Sequence, residues 1–380
     1  MDFTQLLNEF AEARENGFIT TKELKDQGKK VIGVYCGFAP WEIITASGAM
    51  AAWLCGMSAE TIPYAEKQLP ANLCPLIKSS YGFAVADKCP YFYFSDMLIG
   101  ETTCDGKKKM YEFLSDFKPM HIMHLPQNPN ASDSFKYYRS EMVKLKEAIE
   151  KQLDVEITDE DIRDRIKIRN RERKALRNFY EVGKLSPPPI YGFDLRRVIQ
   201  ATLFISDKEK EIERIEKLTR DIIEDYEKNG SKVPLSAKRI LVTGSPLGDA
   251  TENIIKIIEE NGGVVVCFEM CSSIKDKEEQ VREDGDPFDA LTERYLKSGC
   301  ACMSPNNHRM NMISDYIDEY KIDGVIDITL QSCHTYNMEG DRVKHTVNEK
   351  ERPYLHLETD YSQETIGQLT TRISAFIEML

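Results

Sequence analysis

Residues 238–271 read KRILVTGSPLGDATENIIKIIEENGGVVVCFEMC, and this stretch decides the expected fold. The apolar strand KRILVTG is followed by a turn and an amphipathic helix, a Gly-Gly pair ends the helix, and a second apolar strand, VVVCFE, follows. Two strands joined by a helix pair in parallel and lie in a sheet that helices cover. The stretch therefore predicts a doubly wound α/β domain.

The same alternation of strands and helices appears in both halves of the chain. We predict strands at KKVIGVYC, YFYFSDMLIGE, PMHIMHL, DGVIDITL and YLHLETD, and helices that include APWEIITASGAMAAWL, CPLIKSSYGFAVAD and DGKKKMYEFLSDF. We expect two doubly wound (Rossmann- or flavodoxin-like) α/β domains with parallel sheets. The first, residues 1–200, includes an N-terminal helix and a helical arm, and the second is residues 201–380. A ligand site is expected between them, at the carboxyl ends of the strands.

A charged helical segment, residues 137–229, lies between the two alternating regions. Its basic run RNRERKALR resembles an RNA-binding patch, but interleaved Glu and helical spacing favour a solvated or partner-facing helix. Lys and Arg number 50 and Asp and Glu 63, so the net charge is −13. This charge argues against a nucleic-acid or anionic-membrane partner. We expect a cytoplasmic protein, because no apolar run approaches the ~18 residues of a membrane span and the N-terminus is an acidic amphipathic helix.

Two glycine-containing loops resemble nucleotide sites, but neither fits the required spacing. GETTCDGKKKM, residues 100–110, has one residue too many before Gly106-Lys107, and Lys108 occupies the Ser/Thr position of a P-loop. VTGSPLGD, residues 242–249, lacks the G-x-G-x-x-G pattern of dinucleotide binding, so a turn that places backbone N–H groups near an anion is the better interpretation. We therefore expect no ATP hydrolysis by this chain.

The ten cysteines are the unusual feature of the composition. Carboxyl ends of parallel strands and N-termini of the following helices lie on one face of a doubly wound domain, and this rule selects six of them. Cys55, at a predicted helix end, and Cys89, before a predicted strand, are placed on the opposite face; Cys267 is assigned to the core, and Cys300 could replace Cys302. The six selected residues are Cys36, Cys74, Cys104, Cys271, Cys302 and Cys333.

Six thiols that converge from separate loops, near helix N-termini that favour thiolates, indicate an iron–sulfur cluster. The compact cysteine spacing of ferredoxins is absent. Structural zinc stays open as an alternative, although zinc sites usually contain close Cys pairs.

The motifs YCGFAPWEIITASG, LCPLIKSSYG, GETTCDGKKKMYE, CMSPNNHRM and LQSCHTYN resemble the 2-hydroxyacyl-CoA dehydratase and benzoyl-CoA reductase family over nearly the whole chain. The GETTCDGKKKMYE motif and the extra cysteines look closest to its double-cubane cluster branch, single-subunit anaerobic reductases. The resemblance implies a [4Fe-4S] cluster held by Cys74, Cys104 and Cys333. In the double-cubane branch it implies an [8Fe-9S] cluster with further ligands, for which the face argument offers Cys36, Cys271 and Cys302.

The resemblance also implies a separate iron–sulfur ATPase, the activator, that supplies low-potential electrons for reduction of a small-molecule substrate. Glu101 and Lys107 beside Cys104, and His334 beside Cys333, are the candidate catalytic groups. A homodimer fits a single-subunit member with long helical arms. Two other functions stay open: a subunit of a 2-hydroxyacyl-CoA dehydratase with a [4Fe-4S] cluster, and a non-catalytic electron-storage or cluster-carrier protein.

Overall fold

A computed structural model describes residues 3–248, 250–271, 273–362, 364 and 366–380 of the chain. The strands are β1 (Val31–Val34), β2 (Met50–Trp53), β3 (Met97–Glu101), β4 (Met120–Met123), β5 (Lys238–Gly244), β6 (Gly263–Glu269), β7 (Gly324–Leu330) and β8 (Tyr354–Thr359). The helices are α1 (Thr4–Glu15), α2 (Gly17–Asp26), α3 (Trp41–Ala46), α4 (Ile62–Ala65), α5 (Pro75–Val85), α6 (Pro90–Phe94), α7 (Asp105–Leu114), α8 (Ser134–Leu153), α9 (Asp159–Tyr180), α10 (Gly192–Ala201), α11 (Lys208–Asn229), α12 (Ala250–Glu260), α13 (Pro287–Tyr295), α14 (Asn307–Glu319), α15 (His334–Glu349) and α16 (Ile366–Met379).

The strands form two four-stranded sheets of the same topology. The first has the order β2-β1-β3-β4 and the second β6-β5-β7-β8, and every neighbouring pair is parallel. The predicted fold class, two doubly wound α/β units with parallel sheets, is confirmed. In each sheet the connections reverse direction at the second and third strands of that order, which is where ligands of such folds bind.

Three elements differ from the sequence prediction. Residues 39–54, predicted as one helix, form the short helix α3 and the strand β2, because Gly48 adopts a φ of +79° that ends the helix. Met50 then pairs with Val31 of β1. Residues 91–101 were predicted as one strand, but the first of them belong to α6 and only the last five form β3. The helix α15 was not predicted.

The hydrophobic core does not divide at the middle of the chain. One continuous cluster contains Leu98 and Leu114 of the first half together with Ile240 and Val325 of the second. A second cluster covers the other face of the first sheet, and it includes residues 281–303 from the second half. The two halves therefore share both cores.

The helical arm is anchored by buried ion pairs. Helix α9 packs against α3 and α11, and Arg173 Nη2 lies 2.8 Å from Glu42 Oε1 with both side chains almost completely buried. Arg169, also in the basic run, is buried against Glu172. The basic run was expected to face solvent or a partner, but two of its arginines are structural. Among the described residues, no helix is both long and apolar enough to cross a membrane.

Candidate metal centre

A cavity of about 410 Å³ lies where the carboxyl ends of the two sheets approach each other. Residues that follow β1, β2 and β6 line it, together with Pro246 and Leu247 of the turn after β5. Gly244 enables that turn: its φ is +120°, and a Cβ there would lie 2.0 Å from the Ile328 carbonyl oxygen. The cysteines that line the cavity are Cys36, Cys55, Cys89, Cys271 and Cys300.

Three further cysteines are the N-cap residues of long helices that follow the turns around this region. Cys74 precedes α5, Cys104 precedes α7 and Cys333 precedes α15. The Cys104 thiol interacts electrostatically with Cys333 and with Cys300, and Cys74 interacts with Cys333, so the three helix starts and the cavity belong to one group. Positive helix N-termini favour the thiolate form.

Two cysteine pairs show coupled acidities. A hydrogen bond from Cys74, with backbone N–H support at the start of α15, lowers the pKa of Cys333 to about 6 and raises that of Cys74. A hydrogen bond from Cys302 lowers the pKa of Cys300 to about 6, with Lys275 adding to the effect. Cys302 is itself buried and interacts with Cys36 and Cys104. Each pair can therefore hold a thiolate near neutral pH.

A buried lysine and a buried glutamate approach the cavity from the first sheet. Lys107 Nζ donates to the Tyr35 carbonyl oxygen at 2.8 Å and lies 4.0 Å from Cys55 Sγ. Burial opposes its charge, but the acidic groups around it, led by Cys55, raise the pKa of Lys107 well above its ordinary value. Glu101 is completely buried, and among the described residues its carboxylate oxygens have no hydrogen-bond partner within 3.5 Å. Burial raises the pKa of Glu101 to about 8, although Lys107 opposes the shift.

A second buried cation network approaches from the other sheet. Lys275 Nζ lies 3.1 Å from Glu269 Oε1 and 3.4 Å from the Tyr336 hydroxyl, which is 3.9 Å from Cys271 Sγ. Arg309 Nη2 lies 2.8 Å from Glu269 Oε2. The cysteines therefore lie between cations held by both sheets, which can offset the negative charge of several thiolates.

The placement of the predicted residues is mixed. Glu101, Lys107, Cys36, Cys74, Cys104, Cys271, Cys302 and Cys333 all fall in this region, and Cys267 is fully buried in β6 as expected. His334 is exposed in the first turn of α15 and does not line the cavity.

The assignment of Cys55 and Cys89 to the opposite face is wrong. Cys55 follows the carboxyl end of β2, where its Sγ donates to the Tyr35 carbonyl oxygen at 2.8 Å. Cys89 is the N-cap of α6, and its Sγ accepts from the Phe92 N–H at 3.4 Å. The error for Cys55 follows from the missed strand β2, and the error for Cys89 follows from the prediction of strand where α6 begins. The Ser47-Gly48 pair was the available signal, because glycine commonly ends a helix. Lys275 was also missed, and we find no sequence signal for it.

The potential metal ligands that are grouped around the cavity are mainly cysteine thiols. In the part of the chain that the structure describes, no three His, Cys, Asp or Glu side chains are grouped so that they could hold one metal ion. A polynuclear cluster differs from a single ion because each cysteine binds a different iron, so its thiols need not converge on one point. The residues present therefore suit a cluster.

Comparison with known proteins relates the chain to a group of CoA-ester enzymes. The family model described as 2-hydroxyglutaryl-CoA dehydratase, D-component, matches residues 36–380. The chain is 47% identical to "Putative dehydratase subunit YjiM" of Escherichia coli strain K12, over 100% of this chain and 99% of that protein. It is 25% identical to the (R)-phenyllactyl-CoA dehydratase beta subunit of Clostridium sporogenes, over 99% of each chain. It is 21% identical to a benzoyl-CoA reductase subunit of Thauera aromatica, over 87% of this chain and 85% of that protein.

Proposed function

The chain belongs to the 2-hydroxyglutaryl-CoA dehydratase, D-component, family, and we propose that within it this protein is an iron–sulfur reductase with a double-cubane [8Fe-9S] cluster. A separate ATP-hydrolysing activator protein supplies its electrons, and a small molecule is its substrate. Family membership supports an enzymatic role, since the relatives are named as dehydratase and reductase subunits.

The number of thiols around one cavity carries the proposal. Both halves of the chain contribute, and the set is larger than the four thiolates of an ordinary [4Fe-4S] cluster. The nine candidates are Cys36, Cys55, Cys74, Cys89, Cys104, Cys271, Cys300, Cys302 and Cys333. Of these we assign Cys36, Cys74, Cys104, Cys271, Cys302 and Cys333 as ligands, with Cys300 as the alternative to Cys302.

The surrounding residues prepare the site for an anionic group. Helix N-termini at Cys74, Cys104 and Cys333 favour thiolates, and Lys107 and Lys275 place positive charge on opposite sides. When bound, the cluster would supply low-potential electrons for reduction of the substrate. Tyr35, Phe38 and Leu247 contribute buried apolar surface to the cavity wall.

We assign proton handling to Glu101 and a positioning role to Lys107. A carboxyl with a pKa of about 8 is largely protonated at neutral pH, so Glu101 can store a proton inside the protein. Lys107 remains charged and holds the Tyr35 carbonyl, which fixes the chain just before Cys36. Glu101 is thus the candidate proton donor, and Lys107 the positioning cation.

Iron and acid-labile sulfide in anaerobically purified protein test the proposal. About eight iron atoms per chain support the double cubane, and about four support a [4Fe-4S] cluster. Protein without iron and sulfide, purified under conditions that preserve such clusters, would overturn the proposal.

The names of the relatives favour a second candidate function, a dehydratase subunit that acts on a 2-hydroxyacyl-CoA. This function requires a related, non-identical partner chain. Co-purification of such a chain from the native organism, with CoA-ester turnover by the pair and about four irons per chain, would favour it over the single-subunit reductase.

A further inference from the structure

A second cavity, of about 260 Å³, lies beside the edge strand β2, away from the sheet ends that carry the cysteines. Helices α3 and α9 and the chain between α10 and α11 form its walls. It is separated from the cysteine-lined cavity by Trp53 and Leu203, which line both. No role in the proposed reductase requires this cavity.

Its lining carries an excess of positive charge. The acidic residues in the lining are Glu172, Asp207 and Glu209, and the basic residues are Lys29, Arg165, Arg169, Lys208 and Lys277. All three acids have partners. Glu172 pairs with Arg169 and with Lys208, Asp207 pairs with Lys210 at 3.3 Å, and Glu209 pairs with Arg171 at 2.8 Å.

The acids therefore leave part of the basic set without an ion pair. Among the residues that the structure describes, neither Lys29 nor Arg165 has a carboxylate within 4.0 Å, and the acidic neighbour of Arg165, Asp161, interacts with it only at longer range. Lys277 is buried beside Asp276, its ion-pair partner, and burial lowers the pKa of Lys277, with Arg169 nearby adding to the effect. A concave, partly buried surface with excess cations attracts an anion.

The remaining walls suit a flat apolar group and backbone hydrogen bonding. Trp41, Trp53, Ile168 and Ile205 contribute apolar surface, and Arg169 Cζ lies 5.5 Å from the centre of the Trp41 ring.

The edge strand β2 adds backbone donors to the cavity. Met50 N and Leu54 N donate to β1, so strand alternation directs the N–H groups of Ala51 and Trp53 toward the outer edge of β2, where the cavity lies.

We propose that this cavity binds a small organic anion in which a phosphate or carboxylate group, held by Arg165 and Lys29, is joined to a flat apolar part that packs on the two tryptophans. The walls come from the first sheet, from the helical arm and, through Lys277, from the second half of the chain. The bound anion therefore joins three parts of the molecule.

The two tryptophans are the only ones in the chain, and both line this cavity. Intrinsic tryptophan fluorescence therefore responds to a ligand bound here, and because Trp53 also lines the cysteine-lined cavity, the Arg165→Ala variant assigns the response to this site. Phenyl phosphate is the main probe, benzoate tests the carboxylate source of the anion, inorganic phosphate lacks the apolar part, and phenol lacks the charge. We expect saturable quenching by phenyl phosphate or benzoate, weaker binding of inorganic phosphate, and no saturable change with phenol. A response to only one of the two aromatic anions identifies its anionic group.

Arg165→Ala and Lys29→Ala should each raise the apparent Kd by about tenfold or more, the effect expected for one charge-assisted hydrogen bond. Lys174→Ala is the matched control, because Lys174 is an exposed base on the same helix and does not line the cavity. Arg165 lines only the second cavity, so its effect also separates this site from the cysteine-lined one.

Saturable binding that neither Arg165→Ala nor Lys29→Ala weakens would overturn the proposal, as would equal binding of phenol, or no saturable response to either aromatic anion. Thermal unfolding of each variant checks that the fold is intact. The experiment needs no substrate turnover, so its outcome is independent of the proposed reductase.

Discussion

At the scale of single residues, substitution of the N-cap cysteines can test metal ligation without disturbing the fold. Serine is a favourable N-cap residue, so Cys→Ser at these positions removes the sulfur while the helix start is retained. Cys104→Ser should therefore lower the iron content of anaerobically purified protein by at least half, with little change in the thermal stability of the cluster-free protein relative to cluster-free wild type.

Cys89→Ser is the matched control, because Cys89 is also an N-cap but lies outside the six assigned ligands. Loss of iron from Cys89→Ser with retention in Cys104→Ser would contradict the assignment. Cys55→Ser is informative as well, since the structure places Cys55 in the cavity although the sequence argument excluded it.

Lys107 provides a test of the charge balance around the cluster. Removal of a buried cation makes addition of an electron less favourable. Lys107→Met should therefore shift the reduction potential by roughly 50–100 mV to more negative values, which corresponds to ~1–2 kcal/mol for one electron. The potential is measured by redox titration with electron paramagnetic resonance detection.

Lys108→Met is the control for the Lys107 experiment. Lys108 follows directly in α7 but is solvent-exposed and paired with Asp105, so its charge is screened. Equal shifts in the two variants, or none in Lys107→Met, would refute a role for Lys107 in charge compensation.

At the scale of elements, the helix α12 carries a carboxyl that couples the fold to pH. Glu259 Oε1 accepts from the Gly192 N–H of α10 at 2.7 Å, and burial raises the pKa of Glu259 to about 7. The folded chain holds this proton more tightly than the unfolded chain. Its contribution to stability is therefore full below about pH 4.5 and is lost as the pH rises through 7.

Glu259→Gln keeps the acceptor and removes the ionisation. We expect a Tm about 2–4 °C above that of the wild type at pH 8 and no difference at pH 4.5, measured by circular dichroism. Glu260→Gln, at the exposed neighbouring position, should leave the Tm unchanged at both values. If Glu259→Gln raised the Tm equally at both pH values, ionisation of the buried Glu259 carboxyl would not be the cause of the increase.

Gly48 tests the turn that creates β2. Its φ of +79° is strained for any residue with a Cβ, while a Cβ there would meet no atom of the described part of the chain within 4 Å. Gly48→Ala should therefore destabilise the protein by about 1–2 kcal/mol through backbone strain alone, as measured by denaturant unfolding.

Gly367→Ala offers a contrast to Gly48→Ala. Gly367 lies in α16, and a Cβ there would meet no atom of the described residues within 4 Å; because alanine is the better helix former, this variant should gain about 0.5–1 kcal/mol. A destabilisation that is equal at both positions would contradict the turn argument.

The success and failure of sequence prediction also divide by element. Long apolar strands such as β5, β6 and β7 were predicted because every residue is buried or nearly so and the runs are continuous. The strand β2 was missed because AMAAWL has no alternation that separates it from helix, and only pairing with β1 makes it extended. The topological rule correctly selected six cysteines that lie in the region of one cavity. It placed Cys55 on the wrong face because β2 was predicted as helix.

At the scale of the whole molecule, the chain is more interwoven than its two sheets suggest. Phe288 and Leu291 of α13, from the second half, pack in the core on the outer face of the first sheet. Tyr295 donates from its hydroxyl to Glu42 Oε2 at 2.8 Å. Sequence periodicity cannot reveal such an exchange, because an amphipathic helix shows which face it buries and not which sheet it covers.

This exchange predicts cooperative unfolding of the entire chain. Leu291 is fully buried, so Leu291→Ala should cost about 2–5 kcal/mol and lower the midpoint of one common transition. Ile373→Ala, in the core of the second sheet, should lower the same transition, because one hydrophobic cluster joins the two sheets. Calorimetry and circular dichroism, applied to the same anaerobic preparation, measure both midpoints. If calorimetry instead resolved two transitions, one sensitive only to Leu291→Ala and the other only to Ile373→Ala, the halves would be independent folding units despite their shared cores.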